Sequence, residues 1–469
     1  MKRVSLTAVG WAAALVISST QAAAAPSTLL LHQPSVSAEH IVFVFGGDIW
    51  RTDRQGQNPV QLTSQAAAEF APHVSPDGKL IAFSAAYDGN TDVYVMPIAG
   101  GAPQRLTFHP GVDVVNGWSA DGKRVLFASA REISNSRSNQ LYEVALTGGF
   151  ERKVMEAVAY EGTWSADGKR LAYRPYRQAN NGSSGWRQHR GGTTTPIWII
   201  DPGTQNFEVV PHVNATDINP IWAGAELVFI SDRADGAANL FAYSPATKTL
   251  RQLTRETQWD VKSASAIGST VVYESGGQLK ELDIATGKGR NIDVSLNPSS
   301  PEARVQWKDA MSAITTAQLS ATGKRVIVSA RGEVFNVPVK DGGIRNLTNT
   351  SGVREKDALW STDGLRVAYI SDSGRSHQLV LRDADGLDKP KTLALGGSGH
   401  FNLLAWSPDA KRLIVQDNHL NLFSVNAADG ARRLIATSER RAAFNVAFSA
   451  DSRWLAYTVT GANHFSQIR

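Results

Sequence analysis

The residues best placed for chemistry in this 469-residue chain are arginines gathered in two short stretches. The stretch 131–140 carries Arg131 and Arg137. The stretch 174–195 carries Arg174, Arg177, Arg187, His189 and Arg190, and no Asp or Glu. A guanidinium presents a planar fork of N–H donors that can bond a carboxylate twice. Arg131, Arg137, Arg187 and Arg190 are therefore the candidate substrate-binding residues, and the C-terminal carboxylate of a peptide is the ligand they suit. Other constellations fail on spacing. Asp383-Ala384-Asp385-Gly386 opens like a calcium loop, but its twelfth position is Ala394 where a bidentate Glu is needed. The ten His never fall at metal-ligand spacing beside a carboxylate. A Gly-x-Ser-x-Gly nucleophile elbow is absent. These residues give no reason to expect a metal, a cofactor or a catalytic group in this stretch of chain.

The elements that must position those arginines follow from a repeat. His73-Val-Ser-Pro-Asp-Gly-Lys-Leu-Ile-Ala-Phe83 is matched by Gly117–Phe127, Thr163–Tyr173, Leu359–Tyr369, Ala405–Val415 and Ala447–Tyr457. Weaker copies end at Phe43, Phe229, Tyr273 and Val328. The ten closing residues lie 40 to 46 apart, save two gaps of 55 and 56. An insertion before Phe229 and a linker before Val328 explain those two. Each unit reads as four strands. Strand a ends at Trp-Ser or its equivalent, and Asp-Gly turns the chain into strand b, since Gly accepts positive φ. Strand c is of the type Asp92–Met96 or Gln140–Val144. Strand d closes with Leu-Thr, as in Gln61-Leu62-Thr63 and Gln252-Leu253-Thr254. Such a unit is a propeller blade. The fold class is all-β: two consecutive β-propellers, the first six-bladed and the second truncated. The repeated Trp, Phe and Tyr are then core residues stacked blade on blade, not a carbohydrate platform. The Ser and Asp of each Ser-x-Asp-Gly look triad-like in composition only, because holding the turn explains them.

The chain divides accordingly. Residues 1–24 read as a signal peptide: Lys2 and Arg3, an apolar run over 11–17, then Ala22 to Ala24 as the cleavage region. That places the mature protein in the periplasm or outside the cell. Residues 28–298 are the first propeller, 299–309 a Pro/Ser-rich linker, and 310–469 the partial second propeller. The tenth unit stops near the start of strand c, so the chain is expected to be the front portion of a longer protein. Apolar residues make up 42% and charged residues 19%, with a net charge of +5 that is mostly dispersed. That pattern argues against a nucleic-acid binder. Past the signal peptide no apolar run is long enough to span a membrane.

The Ser-x-Asp-Gly-Lys units with Leu-Thr endings resemble TolB-like propellers. A ring of six followed by a second ring resembles the tricorn protease family. The insertion Trp186-Arg-Gln-His-Arg190-Gly-Gly192 before Ile197-Trp198 is similar to one in bacterial members. The resemblance implies a second ring of seven blades, of which about four are present, and a PDZ domain and serine peptidase region beyond Arg469 that hold the catalytic residues. It implies oligopeptide partners, a non-catalytic guiding or filtering role for the propellers, and a homo-oligomeric full-length enzyme. It also supports a carboxylate-holding role for Arg131. The alternatives are a stand-alone periplasmic TolB-like binding or scaffold propeller, and the propeller of a dipeptidyl peptidase.

Overall fold

The computed structural model describes residues 28–133, 138–176, 194–234, 237–297, 307–374, 376–397, 399–438, 444–461, 463 and 465–469. They form ten antiparallel sheets in strict chain order, nine of four strands and the last of three. Sheets 1 to 6 occupy residues 32–61, 69–105, 113–153, 161–209, 217–252 and 261–292; sheets 7 to 10 occupy 314–346, 355–394, 401–437 and 446–468. The only helical element among the described residues is a 3-10 turn, Met311–Ala313. No helix among them is long and apolar enough to cross a membrane.

Local chemistry explains the four-strand unit. In the a–b turns Ser75, Ser119, Ser165, Ser407 and Ser449 each donate an Oγ–H to the Asp two residues on, at 2.6–2.7 Å. The same Asp accepts a backbone N–H two residues further along, as from Lys79 and Lys169. The bond from Ser holds Asp77, Asp121 and Asp167 below the usual carboxylate range. The residue after Asp sits at positive φ, Gly78 at 73°, and this conformation persists at Ala410 and Ser452 where Gly is missing.

The Leu-Thr ending works differently from the expected strand. Ladder pairing in strand d stops at Gln61, Arg105, Gln252 and Asn346, short of the Thr. The Thr hydroxyl takes over instead. Oγ1 of Thr63, Thr107, Thr254 and Thr348 accepts the N–H of Ile49, Val93, Leu240 and Val334 at 2.8–3.1 Å. A side chain thus extends the c–d ladder by one rung.

Strand a carries a bulge in sheets 1, 2, 5 and 8, with Gln33, Ala71, Asn219 and Asp357 at positive φ inside it. The bulges serve blade-to-blade bonding. Ala71 N–H donates to Gln33 Oε1 at 2.8 Å, Val115 N–H to Ser84 Oγ at 2.9 Å, and Gly162 N–H to Asn116 Oδ1 at 3.2 Å. Asn219 N–H donates to Glu161 Oε2 at 2.8 Å, Ala264 N–H to Asn219 Oδ1 at 2.7 Å, and Val36 N–H to Ser265 Oγ at 3.1 Å. The circuit runs through six sheets and returns to the first, which places strands a innermost. Each of the six sheets is made of four consecutive strands, so no ladder crosses the seam between sheets 6 and 1. Backbone bonds from Thr28 N–H to Val294 O at 2.7 Å and from Leu31 N–H to Gly277 O at 3.0 Å close it, with packing of Leu31, Val36, Phe43 and Trp50 against Val272, Leu279, Ile292 and Val294. An Arg54–Glu281 pair at 2.6 Å reinforces it.

The repeated Trp are core, as their position requires. Trp118, Trp222 and Trp360 are at most 9% exposed. Each donates its indole N–H to a carbonyl of a preceding sheet: His73, Thr163 and Gln318. In sheet 10 strand a is Val446–Phe448, strand b Leu455–Thr460, and a short third strand Ser466–Ile468 reaches the strand c position. Trp454 and Ile468 there are 74% and 80% exposed.

Candidate functional site

The arginines follow the ends of strand b. Strand b of sheet 3 (Arg124–Ser129) runs out of its ladder at Ser129, and the chain turns at once to Arg131. Arg131 Nη2 lies 2.8 Å from Asp113 Oδ2, and Nη1 lies 2.8 Å from Glu151 Oε2. Its Nε donates to Ser129 Oγ at 3.2 Å. The guanidinium carbon sits 5.0 Å from the ring centres of both Phe127 and Tyr142, within cation–π range. Burial disfavours the charge on Arg131, but the two carboxylates outweigh it and raise its pKa above the ordinary value.

Arg174 meets the strand-a acid of sheet 4 from a different position, as the last residue of strand b directly opposite Glu161. Its Nε lies 3.0 Å from Glu161 Oε2, and its guanidinium packs over Tyr160. Arg233 repeats the Arg131 pattern in sheet 5. It pairs with Asp217 at 2.8 Å, bonds Ser231 Oγ at 2.9 Å, and lies over Phe229 and Phe241. Asp113, Glu161 and Asp217 all head strand a, the innermost strand. The loops carry few acids of their own, yet the fold brings a carboxylate to each described arginine from the strand beside it. In sheet 2 the acid at this position is Glu69, which bonds Tyr87 at 2.6 Å and Thr63 at 2.8 Å instead of an arginine. Burial raises the Glu69 carboxyl above its ordinary value despite those bonds.

Arg131 is therefore a clasp between strand b and the head of strand a, with its guanidinium occupied. Arg137, Arg187 and Arg190 lie outside the described residues, as do Arg177 and His189. The structure brings Arg131 and Arg233 to equivalent places two residues past strand b, while Arg174 meets its acid from the strand itself. Arg233 escaped sequence reasoning. The signal was there: a strand-a acid followed 16 to 18 residues later by Arg in a Ser-x-Arg ending, as in Asp113…Ser129-Ala-Arg131 and Asp217…Ser231-Asp-Arg233.

No group of three or more His, Asp or Glu among the described residues could hold a metal ion. Asp383-Ala-Asp-Gly386 forms the c–d turn of sheet 8, where Asp385 Oδ1 accepts the Leu387 N–H.

Residues 28–288 match the tricorn protease N-terminal beta propeller domain, and residues 314–469 match the tricorn protease second beta propeller domain. Tricorn protease homolog 1 of Streptomyces coelicolor is 29% identical over 462 residues, covering 95% of this chain and 42% of that protein. The tricorn protease homolog of Saccharolobus solfataricus is 23% identical over 441 residues, 93% of this chain and 40% of that protein. A TolB homolog of Chlorobaculum tepidum is 32% identical, but over 27% of this chain. The crystal structure of the tricorn protease superposes with a TM-score of 0.54 at 21% identity, covering 94% of this chain and 43% of that one. This chain thus spans less than half the length of these tricorn relatives. With both propeller domains matched in order along almost all of its described length, the chain belongs to the tricorn protease family as an N-terminal propeller portion.

Proposed function

We propose that these propellers serve a serine peptidase outside the cytoplasm, guiding or filtering oligopeptides on their way to or from its catalytic centre. The observation that carries the reading is the succession of two tricorn-type propellers in one chain. The bonding circuit that runs through sheets 1 to 6 and returns to sheet 1 supports it, since it puts strands a innermost. Sheets 3 and 4 follow one another in the chain, and the arginine-rich segments follow strand b in both. In this reading Arg187 and Arg190, with Arg137, receive the peptide carboxylate, and Arg131 fixes the base of its loop. A stand-alone binding or scaffold propeller is the competing reading. The TolB likeness supports it over 27% of the chain, against 95% for the tricorn likeness.

The test is kinetic. In the full-length enzyme, Arg187→Ala should raise KM for peptides with a free C-terminus about tenfold and leave amidated peptides nearly unchanged, the size expected for one charge-assisted contact. Equal effects on both peptide forms would remove the carboxylate role. A full-length protein without peptidase activity would favour the scaffold reading.

A further inference from the structure

A cavity of about 360 Å³ lies between sheets 7 and 8, toward the small end of the roughly 300–1,000 Å³ of ligand pockets. Thr315, Arg331, Gly332, Arg354, Glu355 and Lys356 line it. Three of those residues are basic and one is acidic, so the direction of the acid decides the charge that the cavity presents.

The acid faces away. Glu355 heads strand a of sheet 8 (Glu355–Trp360), as Asp113 and Asp217 head theirs in sheets 3 and 5. Two residues past strand b (Arg366–Ser371), where those sheets place the clasp residues Arg131 and Arg233, sheet 8 has Ser373. Without a clasp arginine Glu355 turns into its own sheet. Its Oε1 accepts from Thr350 at 2.8 Å and Ser371 at 3.4 Å, and its Oε2 is shut off from solvent. Successive residues of extended chain point to opposite sides. Arg354 and Lys356 therefore share the side that Glu355 leaves.

Cations crowd that side. Arg331 and Gly332 form a two-residue turn between strands b (Arg325–Ala330) and c (Glu333–Pro338) of sheet 7, with φ of 53° and 82°. The Glu355 N–H donates to Gly332 O at 2.7 Å, tying the turn to the head of strand a in sheet 8. A Cβ on Gly332 would sit 3.5–3.6 Å from Arg354 Cα and Cγ, so the turn lies against the stem of Arg354. Arg331 and Arg354 are exposed, and neither makes an ion pair among the described residues. Lys356 is held in place, donating to Asn402 Oδ1 and lying 3.7 Å from Asp357. Burial lowers the Lys356 pKa against the pull of Asp357, and the charge of Arg354 adds to the lowering. His377 is brought down to about 4 by burial and then by the charges of Lys356, His400 and Arg354. Asp372 binds the Arg354 backbone N–H, not its guanidinium. Like charges gathered in this way repel one another unless an anion joins them.

We propose that this cavity binds a doubly charged oxyanion of the phosphate class, held between the guanidinium groups of Arg331 and Arg354. Each fork bonds two oxygens of such a group at once. Two unpaired guanidinium groups match two negative charges, which a single carboxylate does not supply. The proposal goes beyond the peptide-guiding reading and does not rest on it.

Calorimetric titration of the full 469-residue chain in phosphate-free buffer tests it with three probes: inorganic phosphate, methyl phosphate and acetate. Saturable binding of inorganic phosphate or methyl phosphate supports the proposal, and the tighter of the two distinguishes a free ion from a monoester. Acetate should bind about tenfold or more weaker. Arg354→Ala should weaken the tighter phosphate probe about tenfold. Arg331→Asn, which keeps a residue tolerant of positive φ in the turn, should do the same. Lys340→Ala removes an exposed cation outside the cavity and should leave binding unchanged. Absence of saturable binding by both phosphate probes, acetate as tight as phosphate, either arginine variant binding like the parent, or a Lys340→Ala loss equal to that of Arg354→Ala would each overturn the proposal.

Discussion

Replacing Arg131 by Ala should destabilise the first propeller, because the substitution strands a buried charge. Asp113 has a side chain 0% exposed, and Arg131 is its cation at 2.8 Å. Removing one partner of a buried pair costs about 3–5 kcal/mol. Glu151, 19% exposed, can turn to solvent, so the lower end of about 3 kcal/mol applies. Loss of the contacts to Phe127 and Tyr142 adds about 1 kcal/mol. A domain of this size shifts its Tm by roughly 2–4 °C per kcal/mol, so Arg131→Ala should melt about 8–16 °C lower. Differential scanning calorimetry reads this directly, with the propellers' transitions followed separately. The double variant Arg131→Ala, Asp113→Ala removes the stranded charge and should recover about 2 kcal/mol relative to the sum of the single variants. Additive single effects, or an Arg131→Ala variant that melts within about 1 °C of the parent, would refute the clasp.

The same geometry makes further predictions. Thr254→Val removes the acceptor for the buried Leu240 N–H and should cost about 1–3 kcal/mol; Thr254→Ser should restore most of it in urea denaturation. Glu69 is held above its ordinary 4.5 by burial. The folded state therefore keeps a proton that the unfolded chain releases, and this group's contribution falls as pH rises from 4.5 through the raised value. The difference in Tm between the parent and Glu69→Gln should shift in favour of Glu69→Gln across that window, and a pH-independent difference would contradict it. Trp360→Phe loses the bond from its indole N–H to Gln318 O and should lower stability by about 1 kcal/mol in chemical unfolding, without loss of β content by circular dichroism.

The four-strand unit was legible because its determinants are local. Ser75 and Asp77 bond within one turn, and so do their counterparts in later sheets. Each Trp-Ser ending announces a buried strand through its size alone. Leu-Thr was recognisable as an ending, but its role was not, because Thr254 acts through a side chain that replaces a backbone rung. The bulges were invisible. Ala71 and Gln33 adopt positive φ with no residue preference to signal it, and the benefit appears only when sheet 2 meets sheet 1. Charge was misread for a similar reason. Arg131 and Arg174 sit in acid-poor segments, yet Asp113 and Glu161 reach them from strands 13 to 18 residues earlier. Counting charges along a loop misses what the pleat places beside it. Glu355 shows the converse: its significance lies in an arginine that position 373 does not supply.

The central claim, that peptides travel along these propellers, is tested most directly by photo-crosslinking. A short oligopeptide carrying a photoreactive residue is irradiated with the 469-residue chain, and the adducts are located by peptide mapping. The account predicts adducts on the inner strands, such as Glu69–Val74, Asp113–Trp118 and Glu161–Trp164, that disappear with excess unlabelled oligopeptide. Adducts confined to outer strands such as Thr249–Gln252 and Lys391–Ala394, or adducts that resist competition, would contradict it.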